Sequence, residues 1–452
     1  MTDAAAAAVP PFPLAVARAL RAAGEEAYFV GGCVRDRLLG RTPKDWDVVT
    51  SATPDAIEEL FPKTLAIGKA FGIVTVVGGN GEAVEVATYR ADSPDSRDAR
   101  HPDGIVFATR EEDARRRDFT VNALYLDPES GEILDTVGGR DDLAARTVRA
   151  IGEPEARFRE DALRMLRAVR FASVLGFAVE PATLAAARAQ RELIGKVSRE
   201  RVLEELTRAL VESPHAEGVL DLLDATGLLD LLLPEVAAMK GVEQPPAFHP
   251  EGDVYVHTRL MLSLLPFPRT PRLAWATLLH DVGKPPTAAL LPGKDGKPIW
   301  RFMGHAEKGA EMADIILRRL KASNALREDT VELVARHMGF VAADKMRVAT
   351  LRRLMASPLF EDEMELLRLD CRGCHGDLSA YEFLRAKQAE FAAEPALPPP
   401  LVTGKDLIAL GMKPSPLFGK ILRELATLQL EGESSREALL AEARRLAAPP
   451  PR

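Results

Sequence analysis

Cysteine is scarce in this chain of 452 residues, with three in all, Cys33, Cys371 and Cys374. Three thiols build no disulfide framework and fit a reducing cytosol, so a cytoplasmic protein is expected. Long apolar runs are missing as well. None approaches the roughly 18 residues of a membrane-spanning helix, which predicts no membrane partner. The opening MTDAAAAAVPPFP has no basic segment and is interrupted by prolines, so it reads as a disordered lead-in and not as a signal peptide. A basic excess is absent too. The net charge of −8 does not advertise a nucleic-acid binder. An RNA partner would need a local basic face. Two candidates exist, the contiguous Arg115, Arg116 and Arg117, and the stretch 146–170, which holds seven arginines against four acidic residues. No internal repeat is visible. What is present, 46% hydrophobic and 28% charged residues, describes a soluble globular chain. Its length suits about two to four domains.

The densest chemistry lies in YFVGGCVRDRLLGRTPKDWD, from Tyr28 to Asp47. The apolar run 27–30 predicts a strand. Gly31 and Gly32 follow it, and without Cβ atoms they let backbone N–H groups approach a phosphate. Asp45 and Asp47 sit in the alternating KDWDVV, which predicts a strand with both carboxylates on one face, about 7 Å apart. Paired carboxylates beside a phosphate cradle suit two Mg²⁺ ions and a nucleoside triphosphate. Glu85, in VEVATYR, offers a third carboxylate, with Val84 and Val86 facing the other way. Further along, RRRDFTVNALYLD (115–127) places arginines, natural phosphate ligands, ahead of an expected strand. The segment 157–177, RFREDALRMLRAVRFASVLGF, reads as one helix. On it Asp161 and Arg164 are i, i+3, and Glu160 and Arg164 are i, i+4.

Runs of alternating pattern between 26 and 137 predict a small mixed sheet flanked by helices, including one over SATPDAIEELF with Thr53 as N-cap and Pro54 in its first turn. From Arg140 the period turns helical and strand signals stop, with segments at 157–176, 181–193, 199–212 and 215–231. A Pro/Gly-rich break covers 240–253. A second helical region runs over about 255–390, interrupted by an exposed loop at 293–298. The stretch 392–400 is a linker, and two or three helices follow before a frayed end at AAPPPR.

GGxVRD, DxD, Glu85, RRDFTxNA and EDxxR, in that order, resemble the class II tRNA nucleotidyltransferase and bacterial poly(A) polymerase family. The resemblance covers about residues 26–380. It implies a polymerase-beta-like α/β head (26–145), a helical neck (146–238), a helical body (239–391) and a linker with a helical tail (392–452), preceded by a lead-in (1–25), in an elongated chain. It implies catalysis at Asp45, Asp47 and Glu85, with Mg²⁺ on Asp45 and Asp47. Nucleotide binding falls to Gly31, Gly32, Arg35, Arg117, Asp118 (on the ribose), Asn122, Glu160, Asp161, Arg164 and Arg167. In this family the EDxxR pair acts as a protein template. The carboxylate accepts from the exocyclic amine of C or A, and the guanidinium donates to the ring nitrogen, whereas G and U present the opposite polarity. SRERVLEELTRAL (198–210), with Arg201 and Glu204 or Glu205, resembles the last neck motif and would brace that helix. The polar stretch between Glu85 and Asp118 reads as a mobile loop of near-complete length, which favours full CCA addition.

A second constellation lies in the body: His257, His280-Asp281, His305, His337 and Asp370. Of eight histidines in the chain, five fall between 257 and 375. The apolar LAWATLLHDVGKP ending in adjacent His and Asp resembles the HD phosphohydrolase superfamily. His257, His280, Asp281 and Asp370 match its core pattern, and His305 and His337 match two-metal members. The expected cofactor is a divalent ion, Mg²⁺ or a transition metal. His249 is expected to be structural or to support a ligand from behind, and C-x-x-C-H at 371–375 is read as a chance pairing. The expected function is template-independent addition of C, C and A to tRNA from CTP and ATP, with a second, phosphohydrolase site. The alternatives are a poly(A) polymerase, a partial CC- or A-adding enzyme, or an HD phosphohydrolase with an RNA-binding head.

Overall fold

The computed structural model describes residues 8–66, 68–91, 106–247, 249–293, 296–392, 397–433 and 435–448. It falls into two compact units, the first ending at Ala237 and the second starting at Ala238.

The first unit begins with helix α1 (Pro11–Ala22), inside the 1–25 lead-in expected to be disordered or helical. Pro11 and Pro13 do not interrupt it, because a first-turn proline forfeits only an N–H that has no helical partner. Val16, Ala17 and Leu20 bury its inner face in the head core. The strands are β1 (Ala27–Val30), β2 (Val48–Thr50), β3 (Thr64–Leu65), β4 (Ile73–Val77), β5 (Ala83–Thr88), the short pair β6 (Arg90–Ala91) and β7 (Val106–Phe107), β8 (Tyr125–Leu126) and β9 (Ile133–Leu134). Seven of them make one mixed sheet in the order β3-β4-β5-β2-β1-β8-β9. Within it β2 and β5 run parallel, with Val48 opposite Val86, while β1 is antiparallel to both β2 and β8. Helices α2 (Gly32–Leu38), α3 (Pro54–Leu60), α4 (Arg110–Arg116) and α5 (Gly139–Ala144) connect the strands. Thr53 caps α3 by accepting the Ala56 N–H, with Pro54 in the first turn. The neck contributes α6 (Pro154–Glu160), α7 (Leu163–Leu175), α8 (Pro181–Gln190) and α9 (Arg199–Glu212). The fold is therefore a small mixed sheet flanked by helices, followed by largely helical segments.

Five expectations need correction. Asp45 and Asp47 do not lie in a strand, because β2 starts at Val48. The segment 157–176 is not one helix, because Asp161 is extended (φ −142°) between α6 and α7. The arginines of RRRDFT end a helix, and a 3₁₀ turn, Thr120–Asn122, separates them from the expected strand, which starts only at Tyr125. Strands also continue past Arg140. Thr147–Val148 pairs in parallel with Ala178–Val179, and Ala288–Pro292 pairs with Pro298–Phe302 as a hairpin. The expected loop at 293–298 is the connection of that hairpin, with 294 and 295 outside the described residues. The stretch 215–231 is split by Gly227, at φ +70°, into Glu217–Thr226 and Leu228–Leu232. The mobile-loop expectation falls largely on 92–105, the linker on 393–396 and the frayed end on 449–452, all outside the described residues.

The second unit holds its histidines on or beside helices Val254–Ser263, Pro271–Leu279, His305–Arg319, Asn324–Arg336 and Phe360–Gly373. Three tail helices follow, Gly404–Ala409, Pro416–Leu430 and Arg436–Ala447, with a small core of their own around Leu407, Ile421, Leu425 and Leu439. No helix among the described residues is long and apolar enough to cross a membrane.

Candidate active site

In the head, Trp46 drives the geometry. Its ring is buried edge-on against Phe29, with ring centroids 5.1 Å apart, so its neighbours Asp45 and Asp47 turn outward together. Although both precede β2, Asp47 is still anchored to the sheet through its carbonyl, which accepts the Val30 N–H at 3.1 Å. The parallel register of Val48 with Val86 then sets Asp47 beside Glu85. Glu85 is exposed between buried Val84 and Val86. The three carboxylates sense one another: burial first, then the charges of Asp45 and Glu85, push the Asp47 pKa up to about 7. A divalent cation would relieve that crowding, and an all-oxygen donor set suits Mg²⁺. The residues present fit the metal that the sequence implies.

Gly31 caps α2 at φ +80°, a conformation that favours glycine. A Cβ there would stand 3.8 Å from Arg117 Nη1, and one at Gly32 would stand 3.7 Å from Arg35 Nη2. Two guanidinium groups therefore flank the glycine pair, which follows β1, the strand paired with β2. Arg117 is fixed by Asp113, whose carboxylate accepts from Arg117 Nη2 at 3.0 Å, from Arg116 Nε at 3.0 Å and from the Tyr125 hydroxyl at 2.8 Å. Burial opposes the charge on Asp113, but Arg117 and Arg116 keep its pKa below the usual value. Asp113 was not singled out from the sequence, although its i, i+3 and i, i+4 spacing to the two arginines was visible in EEDARRR. Asn122 Oδ1 accepts from Arg35 Nη1 at 2.6 Å. Asp118, expected on a ribose, has its carboxylate engaged by Arg167 Nε at 2.8 Å, Asn122 Nδ2 at 3.1 Å and the Phe119 N–H at 2.8 Å.

The break at Asp161 changes how the selecting pair is presented. Asp161 Oδ1 accepts the Leu163 N–H at 3.1 Å, a local contact that competes with helix continuation. Its other oxygen accepts from Arg201 Nη2 of α9 at 2.9 Å. Arg164 donates to Glu160 at 2.7 Å and to the carbonyls of Arg157 and Arg116 at 3.0 and 3.2 Å. Arg157, buried and also missed in the sequence, bonds to Glu160 and to the carbonyls of Arg116 and Arg117. Asp161 and Arg164 thus stand at one turn but are held by different partners. Of the two acids expected on α9, Glu205 is buried and bonded to Arg170 at 2.6 Å, whereas Glu204 is exposed.

The second constellation assembles in the second unit. His257 Nε2 lies 3.1 Å from Asp370 Oδ1, and His280 Nε2 lies 3.1 Å from Asp281 Oδ2. His305 and His337 face the other oxygen, Asp281 Oδ1, at 3.7 and 3.9 Å. Each of these rings is fixed from behind. The Nδ1 atoms of His280, His305 and His337 contact the carbonyls of Thr277, Phe302 and Val334 at 2.9, 2.8 and 2.7 Å. His257 Nδ1 contacts Glu251 at 2.7 Å. A metal on the inward side would bind these rings through Nε2, with Nδ1 protonated and bonded behind. His257 Nε2, His280 Nε2 and Asp281 Oδ1 are buried without a hydrogen-bond partner. His257, His280 and Asp370 form one set with donor atoms within 4.8 Å, and Asp281, His305 and His337 form another. Two ions with Asp281 between them fit this donor set. Burial opposes a charge on His257, yet Asp370 and Glu251 hold its pKa up at about 9. Burial and His280 push His337 down to about 4. His249 shares Glu251 with His257, at 2.8 Å. A cavity of about 560 Å³ opens over the site, lined among others by Lys284, Trp300, Met303, Cys374 and His375.

Three family models match in order: the Poly A polymerase head domain over 27–149, the probable RNA and SrmB-binding site of polymerase A over 176–240, and the HD domain over 257–369. The A-adding tRNA nucleotidyltransferase of Deinococcus radiodurans is 36% identical over 447 residues, covering 94% of each chain. This chain belongs to the tRNA nucleotidyltransferase family. Within that family, the CCA-adding enzyme of Geobacillus thermodenitrificans is 48% identical over 222 residues, which is 48% of this chain and 54% of its own length. The chain therefore spans about half the length of the curated CCA-adding relatives that it matches. Among solved structures, the Bacillus stearothermophilus CCA-adding enzyme in complex with CTP superposes with a TM-score of 0.72 at 30% identity, covering 97% of this chain and 98% of that one.

Proposed function

We propose that this chain adds C, C and A to the 3′ end of tRNA from CTP and ATP without a nucleic-acid template, releasing pyrophosphate. The observation that carries this reading is the gathering, in one unit, of the Asp45–Asp47–Glu85 carboxylates, the Gly31-Gly32 pair between Arg35 and Arg117, and the turn bearing Asp161 and Arg164. Mg²⁺ held by Asp45 and Asp47, with Glu85 beside them, would favour the ionised attacking 3′-hydroxyl and offset charge on the leaving pyrophosphate. The glycine pair would admit the triphosphate close to the backbone, with Arg35 and Arg117 neutralising it. Asp161 would accept from the exocyclic amine of C or A through lone pairs not used by Leu163 and Arg201, while Arg164 would donate to the ring nitrogen. Glu160 would keep Arg164 aimed. A base of opposite polarity would leave these groups unpaired, a mismatch that discriminates by about 10⁴–10⁵. Asp118, Asn122 and Arg167 would support the ribose side. We take 26–145, 146–238, 239–391 and 392–452 as head, neck, body and tail, and the cytoplasm as the compartment.

Incubation with tRNA ending at the discriminator base, Mg²⁺, and each nucleotide singly or together, followed by sequencing of the products, tests the reading. Addition of CCA alone supports it, and long A tails or no incorporation overturn it. A second reading, addition of the terminal A only, is favoured by the A-adding relative that aligns over nearly the full chain. It predicts incorporation only into tRNA already ending in CC. We also propose that the HD residues form a divalent-metal phosphohydrolase site, supported by the orphaned donor atoms around Asp281.

A further inference from the structure

The Pro/Gly-rich break ahead of the HD helices has a fixed shape. Asp253 closes it, because its two oxygens accept the Val256 N–H at 2.8 Å and the Gly241 N–H at 2.6 Å. Inside the loop the His249 N–H bonds to the Pro245 carbonyl at 3.0 Å. Glu251 follows, and one of its oxygens, Oε1, takes Nδ1 of His257 at 2.7 Å and Nδ1 of His249 at 2.8 Å. An ionised carboxylate only accepts, so both rings donate there. His249, Glu251 and His257 bring their donor atoms within 4.8 Å of one another, but with both N–H groups aimed at Glu251 this group holds hydrogen bonds and not an ion. Beyond Glu251 the two rings differ in role. His257 is buried and turns Nε2 toward Asp370. His249 stands edge-on to it, with ring centroids 5.0 Å apart, and lines the cavity itself.

His249 Nε2 is left for what enters that cavity. Above the ordinary imidazole pKa of about 6.5 the ring is neutral, and a neutral imidazole that donates through Nδ1 offers only a lone pair at Nε2. A phosphoryl group also offers only lone pairs, so the two do not pair. Its oxygens are matched instead by cationic groups. One is Lys284, which is buried, 2.8 Å from Asp281 and in the same cavity wall. His249, one ring away from a metal ligand, therefore calls for a proton donor next to the phosphoryl group. We propose that His249 is a specificity-determining residue of the HD cavity: its Nε2 accepts a hydrogen bond from a hydroxyl on the carbon beside the phosphoester, so the site takes phosphomonoesters of vicinal diols over their deoxy counterparts. This inference rests on the reading of the HD residues as a phosphohydrolase site. Glu251 is the positioning residue that sets the tautomer of the ring.

Adenosine 3′-monophosphate and 2′-deoxyadenosine 3′-monophosphate differ by that one hydroxyl. The cavity, about 560 Å³ with Trp300, Met303, Met338 and Val341 in its wall, suits a probe with a flat apolar ring. The test measures kcat/KM for both at pH 8 with the full chain and Mn²⁺, in the native protein and in His249→Phe, which keeps a ring and removes its nitrogens. Metal content by elemental analysis and the melting temperature are read alongside. The native chain should prefer the ribonucleotide by about ten-fold, the effect of one hydrogen bond, and His249→Phe should bring the ratio within about two-fold with the metal content unchanged. A native chain that treats both substrates alike, or a His249→Phe variant that keeps the preference, overturns the proposal. Loss of bound metal in His249→Phe also overturns it, because the ring would then serve His257 and not the substrate. Hydrolysis that survives Asp281→Asn would lie outside this cavity and would overturn it too. Should His249→Phe not fold, His249→Ala decides by the same ratio. Failure of the phosphohydrolase reading shows separately, as a native chain that hydrolyses neither nucleotide nor p-nitrophenyl phosphate, whereas hydrolysis of p-nitrophenyl phosphate alone sinks only the role of His249.

Discussion

In the head, three carboxylates stand together, and their crowding shows as the raised pKa of Asp47. In the HD body, every inward imidazole is held from behind by a carbonyl or by Glu251, and Asp281 lies between two histidine pairs. The first arrangement is made of hard oxygen donors on the inner strand β5 and the lead-in to its neighbour β2, and suits an ion that arrives with substrate and keeps much of its water. The second is a mixed nitrogen and oxygen set, pre-oriented and buried, which suits a divalent ion held by the protein itself. The same residue type, aspartate, thus serves two designs, distinguished by what surrounds it and not by its own chemistry.

The largest effect that could break this contrast is loss of the head site. Asp47→Ala should lower nucleotide addition by about 10³-fold or more, an order expected when a metal's charge stabilisation is lost, while the metal content of the purified protein stays the same. If that substitution also stripped the bound metal, the two sites would not be separate. Next in size, Asp281→Asn should remove both HD ions, with affinity falling by at least about 10–100-fold as read by elemental analysis after dialysis, and C and A addition should persist. Retention of a full metal complement would show that Asp281 is not the shared ligand. A smaller effect comes from backbone. A Cβ at Gly283 would collide with the His305 carbonyl oxygen and with the Gly309 N–H. Gly283→Ala should therefore cost about 1–3 kcal/mol in the second unit and weaken metal retention by displacing His305. An unchanged melting profile would show that helix His305–Arg319 can yield there.

What could be read from the sequence divides along a physical line. The HD ligands were legible because each is a rare residue type at the end of an apolar run, and the fold had only to bring them together. Glu85 was legible because period-two alternation fixes which side of a strand a residue faces. Asp161 was misplaced because spacing alone read 157–176 as one continuous helix. An aspartate ahead of an apolar run can end one helix by bonding its own downstream N–H, as Asp161 does to Leu163. Asp45 and Asp47 were placed in a strand for a related reason: alternation persisted to Trp46, but ladder pairing did not. Asp113, Arg157 and Glu251 went unread because their importance lies in what they hold. Nothing in a single sequence marks a carboxylate as buried behind two arginines or two histidines.

The contrast is sharpened most finely by pH. A carboxyl whose folded pKa is raised is bound by a proton in the folded state over a range where the unfolded chain has already released it. For Asp47 that range runs from its ordinary value of 3.8 to about 7. Across it the folded state holds more protons than the unfolded one, so stability falls as pH rises and the loss is complete above about 7. Asp47 is only partly buried, so solvent screening reduces the effect to on the order of 1–3 kcal/mol. In the absence of Mg²⁺ the first unit should therefore melt at lower temperature at pH 8 than at pH 5. Mg²⁺ should cancel that slope by neutralising the crowded carboxylates, and Asp47→Asn should remove it with or without the ion. In the HD unit the aspartates, held below their usual values by His257, His280 and Lys284, add no such fall, whereas His257, held up at about 9, adds one that begins only above about pH 6.5. A metal-free head that is equally stable at both pH values would mean that the three carboxylates do not crowd one another, and the distinction between a site poised by repulsion and one built by fixed rings would lose its basis.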